Sequence, residues 1–315
     1  MCKDCEKAVI RKAVAKILIT GASGMIGTHL TRFLKEGGRE LVFLSRSQKN
    51  NSPNTFVWNL EKGFVDERAF DGVDTIVHLA GAGIAEKRWT KKRKKELLDS
   101  RVLSTRLLFE TLKKIDHQVK CIVSASAIGY YGFHDEDLPL KETDAPGTDF
   151  LAGVVKSWEE EAHRFTESGI RLAIMRIGIV LGANGGAFKE IAGPIRFHAG
   201  APLGTGDQHM SWIHIDDVCL MFQKAIDDET MHGLYNVVGP YSVTNRELTN
   251  AIAAGMGRRI LLPPVPAFLL KFVFGEMADL VLRGSRVSSE KIQQAGYRFR
   301  YDTLEKAISA ILPMS

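Results

Sequence analysis

The sequence predicts an α/β fold, a doubly wound parallel sheet with a smaller C-terminal lobe. Three observations predict it. Strand-like apolar runs alternate with segments of helical periodicity through the first 180 or so residues. A glycine-rich stretch, Gly21 to Gly27, joins the first apolar run to the first helical segment. After Gly182 the texture changes to glycine-rich loops, then to a helical region opened by Pro263, Pro264 and Pro266.

The expected strands are Lys16–Thr20, Glu40–Ser45, Thr55–Trp58, Thr75–Leu79, Lys120–Ser124 and Arg171–Arg176, each a short run bounded by turn residues or charge. Between them Met25–Glu36, Lys91–Lys114 and Leu151–Glu167 repeat apolar residues at three- and four-residue spacing, as helices packed on a sheet require. A helix at Asp216–Ile226 and a strand at Tyr235–Val238 follow. Asp216 and Asp217 suit the cap of that helix, and His214 suits a packed strand-end histidine. The expected organisation is a tail at 1–15, a nucleotide-binding domain at 16–182 and 213–239, and a substrate lobe at 183–212 and 240–312.

Composition bounds the function classes. Of 315 residues, 45% are hydrophobic and 25% charged, as in an ordinary folded globular protein. The net charge of +5 owes much to one run, Lys87 to Lys95, which reads as a solvated helix face because only Trp89 interleaves it. Nucleic acid is therefore not expected as a partner. The four cysteines are too scattered for a disulfide framework, and the Cys2–Cys5 pair lacks the further ligands of a zinc site; a reducing, cytoplasmic setting is expected. Lys7, Arg11, Lys12 and Lys16 interrupt any signal-peptide run. Val265–Leu282 is the longest apolar stretch, but Lys271, Glu276 and Asp279 make it a buried or interfacial helix, so no membrane association is expected.

The glycine turn carries the chemistry. Gly21, Gly24 and Gly27 stand at the first, fourth and seventh positions between a strand and a helix. The first permits a tight turn, the second a close approach of pyrophosphate to backbone N–H groups, and the third close packing of helix on strand. Ser23, Met25 and Ile26 complete this Rossmann-type cofactor contact. At the end of the second strand, Ser45 and Arg46 stand where an acidic residue would hold the free ribose of NAD. Arg46, with Lys49 nearby, suits a 2′-phosphate, so the expected cofactor is NADP(H). Asn59 and Leu60 follow the third strand to flank the adenine, and Leu79, Ala80 and Gly81 leave room beside the sheet edge.

With these residues in view the chain resembles the extended and atypical short-chain dehydrogenase/reductases, most closely the epimerase-family proteins similar to nucleoside-diphosphate-sugar epimerases. The resemblance spans residues 16 to 312 and includes Arg101–Leu108, Ser124–Gly132, Met175–Gly182, Trp212–Val218, Tyr235–Pro240 and a small C-terminal domain around Gly284–Val287 and Gly296–Phe299. It implies an Asn-Ser-Tyr-Lys tetrad, in which tyrosine exchanges a proton with substrate while hydride moves to or from the nicotinamide. Carried over, Ser126 matches the serine and Lys156 the lysine, with Glu160 one turn beyond, and Lys156 would hold the nicotinamide ribose. Ala152 stands at the tyrosine position and Arg101, beside the cofactor, at the asparagine position. Alanine transfers no proton, which leaves Tyr130 and Tyr131 as candidate replacements or as packing over the cleft.

Two functions follow: an NADP-dependent oxidoreductase or epimerase-like enzyme acting on a small molecule, and a non-catalytic NADP(H)-binding or redox-sensing protein. The resemblance implies a monomer or homodimer. Arg196, His198, Gln208, His209 and Trp212 offer polar and aromatic substrate contacts in the lobe, without a motif that names the ligand.

Overall fold

The computed structural model describes residues 15–47, 53–134, 138–183 and 185–312. Cys2, Cys5 and Lys49 therefore lie outside the described residues. The first half runs β1 (Lys16–Thr20), α1 (Met25–Glu36), β2 (Glu40–Ser45), β3 (Thr55–Asn59), β4 (Phe64–Val65), β5 (Thr75–His78), α2 (Lys91–Leu112), β6 (Cys121–Ala127), α3 (Phe150–His163) and β7 (Arg171–Ile177). The second runs β8 (Ile179–Gly182), α4 (Gly186–Arg196), β9 (His209–Met210), β10 (Trp212–His214), α5 (Ile215–Asp227), β11 (Gly233–Val237), β12 (Val243–Thr244) and α6 (Asn245–Gly255). It ends with α7 (Ala267–Phe274), α8 (Asp279–Leu282), α9 (Glu290–Gln294) and α10 (Leu304–Ile311).

Eight strands form one sheet in the order β11-β7-β6-β5-β1-β2-β3-β4, parallel throughout except for β4 at the edge. The order reverses at β1, where the chain first adds strands on one side and then returns to the other. In such sheets the crevice at the carboxyl end of the strands, beside the reversal, receives the ligand. Side-chain alternation explains why the strands are apolar without a break. Ile17 and Ile19 pack with Leu30, Leu34, Val218 and Phe222 of α1 and α5. Leu18 between them packs on the opposite face with Leu108, Phe109 and Ala162 of α2 and α3.

A separate core joins β8, α4 and β10 to α6 and α10 through Leu181, Phe188, Trp212, Leu248, Ile252, Leu304 and Ile308. The lobe is tied to the sheet domain by Asp217 in the first turn of α5. Its buried carboxylate accepts from Tyr297 Oη at 2.5 Å, Arg300 N at 2.8 Å and Tyr301 N at 3.1 Å. The cap of α5 is His214, whose Nδ1 accepts from Asp216 N at 3.1 Å, and its ring stacks on Tyr301 with centroids 3.8 Å apart. The cap is thus a histidine, two positions before Asp216 and three before Asp217, the residues expected to supply it, and His214 is buried at the strand end as expected.

Two further expectations change. The helix expected to reach Glu167 ends at His163 and tightens into a 3-10 turn at Arg164–Ser168, closed by Gly169 with φ +72°. The apolar stretch Val265–Leu282, expected as one buried or interfacial helix, is broken into α7, a short turn and α8, and it is only partly buried: Leu270, Met277 and Ala278 are covered, while Phe268 is 68% and Phe272 81% exposed. Among the described residues, no helix is long and apolar enough to cross a membrane.

Candidate cofactor and active site

The turn after β1 is a cradle only glycine can form. Gly21 has φ +70°, and a methyl group there would stand 2.6 Å from the Leu79 carbonyl oxygen, so β1 can pass this close to the end of β5 only without a side chain. At Gly27 a methyl group would overlap the Gly21 carbonyl oxygen, which is how α1 lies directly against the turn. Gly24 differs. It caps α1 without a side-chain hydrogen bond, is exposed with Ser23, and has only Gly21 O within reach of a methyl, at 3.4 Å. The first N–H groups of α1, on Met25, Ile26 and Gly27, thus face the sheet edge without a capping side chain, a site suited to a pyrophosphate. The residues fit a dinucleotide.

Behind this cradle the chain after β5 is held by side chains of α2. Thr20 Oγ1 accepts from Leu79 N and Ala80 N, both at 3.2 Å, and its hydrogen is left for His78 Nδ1 at 2.8 Å. His78 Nε2 then faces the hydroxyls of Thr105 at 3.0 Å and Ser104 at 3.3 Å, which both donate to the Arg101 carbonyl. Burial lowers the His78 pKa to about 3, so the ring is neutral. Further along, Ala82 N donates to Ser100 Oγ at 3.0 Å and Ala82 O accepts from Arg101 Nη2 at 3.0 Å. Gly83 O accepts from Arg93, and Ile84 O from Trp89 Nε1 at 2.9 Å. Arg93 is buried, so the basic run is not wholly the solvated face expected of it.

Arg101 sits behind the loop: a methyl on Gly81 would stand 3.1 Å from its Cζ, which lies 5.3 Å from the Trp158 ring. Burial, with the charge of Arg93 adding, lowers its pKa to about 10, and it remains a cation at neutral pH. It supports Ala80–Ala82 through Ala82 O.

The residues expected to act on substrate are arranged differently from the expected tetrad. Ser126 is buried and donates to Glu159 Oε1 at 2.5 Å. Arg176, paired in register with Ser126 on the next strand, holds both oxygens of Glu159 at 2.8 and 2.7 Å. Burial opposes the charge of Arg176, but the hydrogen bonds and charge of Glu159 outweigh it and hold the guanidinium more basic than usual. Arg176 also donates to Tyr131 Oη at 3.0 Å, and that hydroxyl donates to Asn236 Oδ1 at 2.7 Å. Burial pushes the Tyr131 pKa up to about 12. Tyr130 lies flat against Arg176, whose Cζ is 3.5 Å from its ring centre. Ser126, Tyr130 and Tyr131 are thus brought together, around a buried ion pair.

Lys156 is not part of this group. Its side chain is 54% exposed and pairs with Glu160 at 3.8 Å, while Ala152 is fully buried. The acid that reaches the sheet is Glu159, and four and eight residues before it on the same face of α3 stand Val155 and Leu151. Both line a cleft of about 230 Å³ at the ends of β6 and β7, with Ile84, Ile128, Phe133, Leu280, Asp149, Arg283 and Ser285. Leu151 and Val155, each one residue before Ala152 and Lys156, are thus the α3 side chains that line this cleft.

On the adenosine side, Ser45 and the exposed Arg46 end β2, and the charges of Arg46 and Lys87 both reach Glu96 of α2. Asn59 Oδ1 accepts from Lys62 N at 3.0 Å and Leu60 packs in the α2 core, which places both at the same sheet edge but engages them in the β3–β4 turn. In the lobe, Trp212 is fully buried, and Gln208 Nε2 donates to the carbonyls of Leu203 at 3.0 Å and Val281 at 2.5 Å, so neither is a surface contact for a ligand.

A parallel sheet reversing at β1, with a glycine cradle at that point and a lobe across its open edge, defines a Rossmann-type nucleotide-cofactor protein. The chain belongs to the NAD dependent epimerase/dehydratase family, which matches residues 17–239, and residues 265–311 match a domain of unknown function, DUF1731. It is an NAD(P)-dependent epimerase-like protein. The chain is 35% identical over 297 residues to an epimerase family protein of Mycobacterium bovis, spanning 94% of this chain and 97% of that one. Its fold is similar to that of human epimerase family protein SDR39U1 (isoform 2) with NADPH, with a TM-score of 0.85 at 31% identity, over 94% of this chain and 98% of the human one. The nucleoside-diphosphate sugar epimerase of Corynebacterium glutamicum has a TM-score of 0.78 at 30% identity, over 94% of this chain and 58% of its own.

Proposed function

We propose that the chain binds NADP(H) at the carboxyl edge of the sheet and acts on a small molecule as an NADP-dependent oxidoreductase or epimerase-like enzyme. The cradle of Gly21, Gly24 and Gly27 against the open first turn of α1 carries this reading. Arg46 favours the phosphorylated cofactor, because no acid stands at the end of β2 to bind a free ribose hydroxyl. The NADPH in the structure of the human relative supports the same choice. In this reading Ser45 and Arg46 hold the 2′-phosphate, the α1 N–H groups hold the pyrophosphate, and Leu79, Ala80 and Gly81 flank the cofactor. When bound, the nicotinamide supplies or accepts hydride. The lobe at 183–212 and 240–312 closes the substrate side and keeps water from the cleft.

A second reading, a non-catalytic NADP(H)-binding or redox-sensing protein, has one observation in its favour. Leu151 and Val155 occupy the cleft-facing positions of α3, and neither carries a proton to transfer. Titration with NADPH and NADH tests the cofactor, and stereospecific transfer of label from NADPH to a metabolite pool separates the two readings. Tighter binding of NADPH, reduced by about 1.5–3 kcal/mol in Arg46→Ala with NADH unaffected, is the expected result. Equal affinity for both cofactors would reject the choice of NADP(H).

A further inference from the structure

We infer that the cleft between α3 and the C-terminal lobe takes a flat conjugated carbonyl ring of the quinone class, and not a nucleotide sugar. The inference rests on the cofactor reading above and names the substrate class of the same site. Size is the first ground. A volume of about 230 Å³ lies below the roughly 300–1,000 Å³ of sites for drug-sized ligands, and it has room for one or two rings.

Lining is the second ground. Leu151, Val155, Ile128, Ile84 and Phe133 line the cleft from the sheet domain and Leu280 from the lobe. A sugar would bring several hydroxyls here, and each one buried without a partner weakens binding. The polar side chains of the lining do not offer a matching set. Asp149 Oδ1 accepts from Leu151 N at 2.9 Å and Ala152 N at 3.1 Å as the cap of α3. Ser285 Oγ donates to Gly132 O at 2.7 Å and accepts from His134 N at 3.2 Å. Arg283 places its Cζ 5.2 Å from the Phe133 ring centre, so a cation and an aromatic face stand together in the lining.

Proton chemistry is the third ground. Among the described residues lining the cleft there is no tyrosine, lysine, histidine or cysteine. An isolated ketone that receives hydride becomes an alkoxide and needs a proton donor beside it. A quinone that receives hydride from a reduced nicotinamide becomes a hydroquinone monoanion, its charge spread over the ring, and takes its second proton from water. The donor is left as the oxidised nicotinamide, so two electrons and two protons are accounted for. Arg283 suits the anion formed, and the aliphatic wall suits the ring.

Calorimetric titration of the full chain, with and without NADPH, tests this using duroquinone, whose fully methylated ring resists attack by thiols, against UDP-glucose. Duroquinone is expected to bind at micromolar concentration and UDP-glucose to show no binding at millimolar concentration. Leu151→Asn should weaken duroquinone at least about tenfold, the scale on which a small change to an apolar pocket discriminates, with NADPH affinity retained. Should that variant not fold, Val155→Thr, which keeps the side-chain shape, carries the same test. Arg283→Ala should weaken the anion of 2-hydroxy-1,4-naphthoquinone several-fold more than it weakens duroquinone. Failure of duroquinone to bind in either state, tighter binding of UDP-glucose, or unchanged affinity in the folded cleft variants overturns the inference. Failure of NADPH to bind overturns instead the cofactor reading on which it rests.

Discussion

Thr20 and His78 end the two adjacent strands at which the sheet order reverses, and their side chains meet through Thr20 Oγ1 and His78 Nδ1 at 2.8 Å. The contact sits directly beneath the cradle. Through it the strand that supplies Gly21 and the strand that supplies Leu79–Gly81 are held in one position, and the Ser104 and Thr105 hydroxyls anchor the ring to α2 from the other side.

The burial of His78 makes stability depend on pH. His78 is neutral in the folded protein with a pKa of about 3 against an ordinary 6.5, so the unfolded chain binds a proton that the folded one refuses across that window. Stability from this group is complete above about pH 6.5 and falls as pH drops toward 3, by an amount on the order of 5 kcal/mol over the whole window. Urea unfolding of native protein and His78→Gln from pH 7 to pH 4 checks it: the variant should be less stable at pH 7 and show a flatter acid slope. Parallel slopes would place the acid sensitivity elsewhere.

The glycines of the cradle separate folding from binding. A methyl at Gly27 would overlap the Gly21 carbonyl oxygen, so Gly27→Ala should destabilise the fold by about 1–3 kcal/mol or more. At Gly24 the protein itself leaves room for a side chain, which would point to where a pyrophosphate approaches. Gly24→Val should keep its circular dichroism and cooperative unfolding while losing NADPH binding. Retained affinity in a folded Gly24→Val would show that the cofactor does not use this turn.

Glu159 and Arg176 form a buried pair, 4% and 1% exposed. Arg176→Met leaves the carboxylate buried beside Ser126 without its cation, and the expected loss is about 3–5 kcal/mol. Glu159→Leu combined with Arg176→Met removes both charges and should recover much of that loss. Denaturant titration of the two variants measures it, and a double variant no better than the single one would count against electrostatic pairing as the reason for the cluster.

Lys156 should matter little. Its contact with Glu160 is exposed, so Lys156→Ala is expected to change stability by less than about 0.5 kcal/mol and to leave NADPH affinity unchanged. A marked loss of affinity would mean that α3 rotates when the cofactor binds.

Much of the fold was legible because a sheet covered on both faces demands unbroken apolar strands, and Lys16–Thr20 and Glu40–Ser45 announce themselves by that demand alone. The glycine turn was legible for a similar reason, since Gly21 and Gly27 answer local steric needs. The register of α3 was not. Lys156 with Glu160 and Val155 with Glu159 satisfy helical spacing equally, and only the approach of Arg176 from β7 decides which acid faces inward. His78 was also hidden, because its partner Thr20 is 58 residues away and Thr105 is 27. The same holds for Arg93, whose burial depends on the Gly83 carbonyl across a loop and not on the lysines beside it.

Six of the polar backbone groups in the segment from Leu79 to Ile84 are engaged by Thr20, Ser100, Arg101, Arg93 and Trp89. Its conformational freedom is therefore surrendered when the chain folds and not when a dinucleotide arrives. Association should then carry only a small ordering entropy from this side of the crevice, with loops beyond it supplying whatever ordering calorimetry detects. Loosening the segment, for instance by Ser100→Ala, would raise the dissociation rate of the nucleotide without touching any atom that contacts it.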